Sequence, residues 1–137
     1  MKRYQLLTLL LIAACSSLHG EDDSLLEYQM KILARGTRQL SQQVSDPARQ
    51  QSTIELIESL KKAALDSKKL DPRKTSEIPE VKRAQFTADY RTDLDELKDA
   101  FDQIEEAVKA SQYDKAKSLF ATVNSIKKEG HGKFKTD

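Results

Sequence analysis

The chain of 137 residues has room for one domain with one hydrophobic core. Its 23 Lys and Arg residues and 22 Asp and Glu residues are interspersed and give a net charge of +1, so there is no basic stripe and nucleic acid is not a favoured partner. Charged residues make up 33% of the chain, with only four glycines and three prolines, a composition typical of an all-α protein.

The first residues have the pattern of an export signal. Lys2 and Arg3 form a positively charged start, and residues 6–14 form an apolar stretch that is too short to span a bilayer as a stable helix. We therefore expect the protein to leave the cytoplasm and to be located in the periplasm.

Ala13 and Ala14 directly precede Cys15, which is the only cysteine. This order resembles the bacterial lipobox, in which the cysteine is lipidated and becomes the first residue of the mature chain. It predicts that residues 1–14 are a lipoprotein signal peptide and that Cys15 carries a lipid anchor to an envelope membrane. The alternative is an incidental cysteine, with cleavage a little later, for example after Gly20.

Residues 15–23 are short, polar and acidic, which predicts a tether before the folded domain at residues 24–137. The first helix is predicted to begin at Ser24, because the residues Ser-Leu-Leu-Glu that start there form a capping-box pattern. An apolar stripe with spacings of three and four residues then predicts one buried face. That stripe consists of Leu26, Met30, Leu33, Thr37, Leu40 and Val44.

Asp46 and Pro47 are predicted to cap and begin the second helix. Its apolar face consists of Ile54, Leu56, Ile57, Leu60, Ala63, Ala64 and Leu65, and the pattern fades near Leu70. The following stretch, residues 71–79, contains two prolines and a Thr-Ser pair, so it is predicted to break the helical pattern.

The third helix is predicted to begin near Pro79 or Glu80, and residues 111–114 offer a cap for the fourth with almost no loop. The stripe of the third helix is Tyr90, Leu94, Leu97, Phe101, Ile104 and Val108, and that of the fourth is Ala116, Leu119, Phe120, Val123 and Ile126. Four amphipathic helices with short connections predict an antiparallel up-down-up-down four-helix bundle.

This topology brings Met30, near the start of the first helix, beside His131, near the end of the last helix. A thioether and an imidazole that face each other across one end of a bundle are suited to hold a haem iron from both sides. Each residue alone has a simpler explanation: Met30 as a core filler, and His131 as a solvent-facing residue in a frayed tail. Gly130 and Gly132 flank His131 and are expected to weaken that last turn.

The sequence from Leu25 to Lys135 resembles the cytochrome b562 family. The most specific matches are Met30 in a Leu-Glu-x-x-Met context, the segments 62–66 and 103–109, and His131 followed three residues later by Phe134. The resemblance implies a haem-binding bundle with one non-covalently bound haem b, in which Met30 and His131 are the axial ligands of the iron. Covalent attachment is not expected, because the chain has no Cys-x-x-Cys-His motif.

The predicted haem pocket is apolar, with basic residues near its mouth. Its walls are predicted to include Leu26, Leu33, Leu97, Phe101, Val123 and Phe134. Candidate partners for the haem propionates are Lys127, Lys128, Lys133 and Lys135, although basic residues are also expected in a last helical turn because of the helix dipole.

Two axial ligands would leave no open position on the iron, so the resemblance implies a carrier of single electrons and not an enzyme. Its partners would be haem and a redox protein of unknown identity. Because the predicted tether leaves from the haem end and reaches at most about 30 Å, a lipid on Cys15 would hold the haem mouth near the membrane.

The main alternative is a haem-free four-helix envelope lipoprotein that acts as a binding or scaffolding module, since the apolar periodicity fits it equally well. A hydrolytic enzyme is disfavoured because the sequence offers no nucleophile and base in a recognisable arrangement. A structural metal site is disfavoured because His19 lies in the tether and no ligand cluster accompanies His131.

Overall fold

The computed structural model describes residues 16–136, with side chains from Gly20 onward. Within this part of the chain there are four α-helices and no strand, which confirms the predicted four-helix bundle. The helices are α1 (Ser16–Gln43), α2 (Gln50–Lys68), α3 (Glu80–Lys109) and α4 (Tyr113–Phe134). Short 3-10 helices at Pro47–Arg49 and Arg73–Glu77 lie in the α1–α2 and α2–α3 connections. The predicted signal peptide and Cys15 lie outside the described residues.

The predicted start of the first helix at Ser24 is wrong, because α1 already begins at Ser16. The segment 16–23, predicted as a tether, is therefore helical. It contains no proline that would stop a helix, and Asp23 forms an ion pair with Arg73 at 3.5 Å, which ties the early turns of α1 to the second 3-10 helix. A capping-box pattern favours a helix start but does not prevent helix from continuing upstream.

The two turns at the far end of the bundle are closed differently. Asp46 accepts a hydrogen bond from the Ala48 amide at 3.0 Å and so caps the first 3-10 helix, which Pro47 begins. The predicted cap of the second helix is therefore displaced to the 3-10 helix that leads into it, because α2 itself begins at Gln50 without a side-chain cap. The predicted side-chain cap of α4 is wrong, because Gln112 occupies the cap position and makes no side-chain hydrogen bond there. This turn is closed by the backbone at Ser111, which has a φ of 56° and whose amide donates to the Val108 carbonyl at 3.0 Å.

The main core is formed by the predicted apolar stripes of all four helices. Its fully buried large side chains include Leu40, Ile57, Leu60, Phe101, Ile104, Val108 and Val123. Leu65 was predicted on the buried face of the second helix but is 43% exposed, because the neighbouring small residues Ala63 and Ala64 occupy that face.

The four helices are not equally close to one another. The backbones of α1 and α2, of α2 and α3, and of α3 and α4 approach closely along the bundle, whereas those of α1 and α4 do not. The fourth side of the bundle is therefore more open than the other three. No helix in the described part of the chain is both long and apolar enough to cross a membrane.

Candidate functional site

A cavity of about 360 Å³ lies on the open side of the bundle, at the end where α1 begins and α4 ends. Residues of α1, α3 and α4 form its walls, and Pro72 and Arg73 from the α2–α3 connection border it. Met30 and His131 both line this cavity. The structure thus brings together the two residues that the sequence singled out from opposite ends of the chain.

Met30 reaches the cavity because it lies on the apolar stripe of α1, one turn from Leu26 and Leu33. Its side chain is half-buried and packs against both the main core and a smaller core at this end. This smaller core consists of Leu26, Tyr90 and Leu94. The position is consistent with a core filler, but it also presents a thioether to the cavity.

His131 lies in the last turn of α4, which continues through both flanking glycines to Phe134. The residue is exposed to solvent and also borders the cavity. Partial burial, together with the positive charges of Lys127 and Lys135, lowers the pKa of the imidazole. The shift favours the neutral ring, the protonation state in which a histidine nitrogen can coordinate a metal.

The walls of the cavity are mainly apolar. Leu26, Leu33, Leu97, Val123 and Phe134 line it, as predicted. The prediction for Phe101 is wrong, because its side chain is fully buried in the main core and does not reach the cavity. Phe101 lies four residues beyond Leu97, one turn deeper in the bundle.

Sequence reasoning missed several wall residues, among them Tyr90 and Leu94. Both were predicted to be buried, and both are. Their position next to the cavity follows from their place in the first half of α3, which runs alongside the start of α1 and the end of α4. The predicted up-down-up-down topology already placed the first half of α3 at this end of the bundle, so these two wall residues could have been predicted.

Charged residues surround the apolar part of the cavity. Lys127 and Lys135 border it, whereas Lys128 does not. Lys133 lies 3.7 Å from the carboxylate of Asp93, a residue of the cavity wall. Of the four lysines predicted as partners for an acidic ligand group, two are thus placed at the cavity itself.

Arg73 is a further cation at the cavity that the sequence did not reveal. It lies in the proline-containing connection, where helical periodicity gives no information about direction. Its guanidinium is paired with Asp23, another cavity residue, at 3.5 Å.

The donor atoms and walls fit a prosthetic group of defined chemistry. A soft thioether and a neutral imidazole suit the iron of a haem, apolar walls suit the porphyrin ring, and cations at the edge suit its carboxylates. Among residues 20–136, no three His, Cys, Asp or Glu side chains are grouped as they would be to bind a bare metal ion.

Comparison with protein families supports this fit. A family model described as Cytochrome b562 matches residues 25–135. The matched region covers all of the bundle from the first apolar turn of α1 to the end of α4, including Met30 and His131. No curated protein and no solved structure matches the chain.

Proposed function

The chain belongs to the cytochrome b562 family of haem-binding electron carriers, and we propose that it carries single electrons through one non-covalently bound haem b. Met30 and His131 are the proposed axial ligands of the iron. The observation that supports this assignment is that both residues border one cavity, although α1 and α4 do not approach closely.

A haem bound in the cavity would supply the redox chemistry, and ligation by the Met30 thioether would favour the reduced form and raise the potential. The chain's own residues hold and shield this group. Leu26, Leu33 and Phe134 exclude water from the ring. Lys127 and Lys135 neutralise the propionates at the edge.

Ligation by both residues makes an electron carrier the proposed role, and not an enzyme. A substrate or oxygen would need an open position on the iron, and none would be left if Met30 and His131 both held it. The redox partner is proposed to be a protein that approaches the exposed edge near His131.

We also propose that the protein is exported to the periplasm and anchored by a lipid on Cys15. The pattern of Lys2, Arg3, an apolar stretch and Ala13-Ala14-Cys15 supports this proposal. Because residues 16–23 are helical, they extend about 12 Å along α1, a shorter reach than an extended tether. The lipid would therefore hold the cavity end of the bundle close to the membrane surface.

Mass spectrometry of the protein purified from a bacterial envelope tests the anchor. We expect a mature chain that begins with a lipidated Cys15, and a soluble periplasmic product from Cys15→Ala. An unmodified mature chain that begins after Cys15 would contradict the proposal.

Haem titration of the apoprotein tests the ligands. We expect binding of one haem per chain and a low-spin, six-coordinate spectrum, and we expect Met30→Ala and His131→Ala each to lose it. His19→Ala is the matched control, because it removes the other histidine and should leave the spectrum unchanged. A folded helical protein that takes up no haem would contradict the proposal and would favour the haem-free envelope module.

A further inference from the structure

The turn that carries His131 is weakened by its own sequence. Gly130 and Gly132 flank the histidine, and glycine lowers the stability of a helix interior. Close packing does not require either glycine. An added Cβ would meet no atom within 4 Å at Gly132 and only Phe134 Cδ2 at 4.0 Å at Gly130. Contacts with residues outside α4 are therefore needed to stabilise this turn if it is to hold the His131 side chain in place.

Phe134, one turn beyond Gly130, makes contacts that fix the end of α4. Its ring packs edge-to-face against Phe86 with centroids 5.2 Å apart, and against Tyr90 with centroids 5.4 Å apart. Both partners belong to α3, so two aromatic contacts attach the last turn of α4 to the neighbouring helix. Such geometry is favourable beyond the burial of apolar surface.

Tyr90 connects this aromatic group to the rest of the bundle. Its ring is buried, and its hydroxyl donates a hydrogen bond to the Ser67 carbonyl of α2 at 3.1 Å. Burial, with a smaller contribution from the Asp71 carboxylate, raises the pKa of Tyr90, so the hydroxyl stays protonated and can donate. The contacts therefore run from α2 through α3 to the end of α4.

We propose that Phe86, Tyr90 and Phe134 form an aromatic clamp that positions His131 as an iron ligand. His131 and Phe134 are three residues apart, so they lie on neighbouring parts of one helix face. The flanking glycines make the last turn of α4 less stable as a helix, and the contacts of the clamp restrict the motion of that turn. Its role in ligation depends on the proposed function, whereas its effect on the turn does not require haem.

Phe86 is the most informative residue for a test. It contacts Phe134 but does not line the cavity. Phe86→Ala therefore removes a contact to Phe134 without removing any side chain of the cavity wall. Phe120→Ala is the matched control, because Phe120 is likewise a half-buried phenylalanine but lies in α4, the helix of His131, and packs against the main core and not against the clamp.

The first experiment uses the apoprotein and measures amide hydrogen exchange of residues 131–134. We expect Phe86→Ala to speed up this exchange by about three- to tenfold, the change that corresponds to the loss of one edge-to-face contact. Phe120→Ala should leave it unchanged. Equal exchange in the wild type and Phe86→Ala would overturn the proposal. This result is available even if the protein binds no haem, so a failure of the proposed function is distinguished from a failure of the clamp.

The second experiment measures the low-spin fraction of the haem-loaded protein. Phe86→Ala should lower this fraction, and adding Gly132→Ala to the same chain should restore most of it, because alanine stabilises the weakened turn by other means. Phe120→Ala should keep the wild-type spectrum. Faster exchange without any change in the spectrum, or a lost spectrum that Gly132→Ala does not restore, would overturn the positioning role.

Discussion

The two flanks of α1 show how one helix serves both stability and function. On the flank toward α2 the helices approach closely, and an added Cβ at Gly36 would lie only 2.6 Å from Leu60 Cδ2. On the flank toward α4 the backbones stay apart, and Met30 and Leu33 line a cavity of about 360 Å³. The first flank is close-packed, and the second leaves room for a group that the chain does not supply.

This difference separates the residues that stabilise the apoprotein from those that bind the cofactor. A side chain in a filled core makes contacts on all sides, whereas one at a cavity wall lacks partners on one side. We therefore infer that, of the two flanks of α1, the one toward α2 contributes more to the folding free energy of the apoprotein. On the proposed function, the α1–α4 flank would gain its missing contacts when haem binds.

The largest expected effect compares one leucine from each region. Leu60→Ala should lower the free energy of unfolding of the apoprotein by about 2–5 kcal/mol, because Leu60 is fully buried beside α1. Leu97→Ala, at the half-buried cavity wall, should cost less than half as much. Urea denaturation of both apoproteins measures the two losses. Equal losses would show that the cavity wall is packed as well as the closed flank.

A smaller effect is expected from adding one methyl group to α1. Gly36→Ala should destabilise the apoprotein by about 1–3 kcal/mol, because Leu60 is enclosed and cannot move away from the new Cβ. Gly20→Ala is the matched control in the same helix, where nothing lies within 4 Å of the added atom.

The control should leave stability unchanged or raise it by up to about 1 kcal/mol, the gain in helix propensity. Thermal or urea unfolding of the two variants measures the difference. A stabilising Gly36→Ala would mean that α1 and α2 have room between them, which would remove the contrast between the two flanks.

The smallest effect concerns charge at the adjoining α2–α3 contact. Lys61 donates a hydrogen bond to the buried carboxylate of Glu105 at 2.6 Å, and Lys109 pairs with the same group. Burial alone would raise the pKa of Glu105, but these two cations hold it below its ordinary value of 4.5. The unfolded chain therefore binds this proton more readily, and the stabilising contribution is present above pH 4.5 and lost as the pH falls below it.

Glu105→Gln should cost about 1–2 kcal/mol at pH 7 and should flatten the loss of stability in acid. Glu58→Gln removes a carboxylate that also pairs with Lys61 but is 56% exposed. This change should alter the free energy of unfolding by less than about 0.5 kcal/mol. Urea denaturation between about pH 3 and pH 7 measures the loss of stability in both variants. The same loss in both variants would show that burial of Glu105 has no energetic consequence.

Most of the fold could be predicted from the sequence, because spacings of three and four residues specify which face of each helix is buried. The start of α1 could not, since nothing in residues 16–23 forbids a helix and Asp23 is held by Arg73, a residue distant in sequence. The positions of Met30 and His131 at one cavity followed from topology alone. The aromatic contacts of Phe134 and the location of Arg73 depend on side-chain packing and on a connection without periodicity, so the sequence did not reveal them.

The structure of the haem-loaded protein tests the central claim most directly. We expect the haem between α1 and α4, with its iron bonded to Met30 Sδ and to a ring nitrogen of His131, and with a helical arrangement around Gly36 and Leu60 that is unchanged from the apoprotein. Iron bonded to any other side chain, or haem bound on a different side of the bundle, would contradict the assignment of the open flank as the haem site.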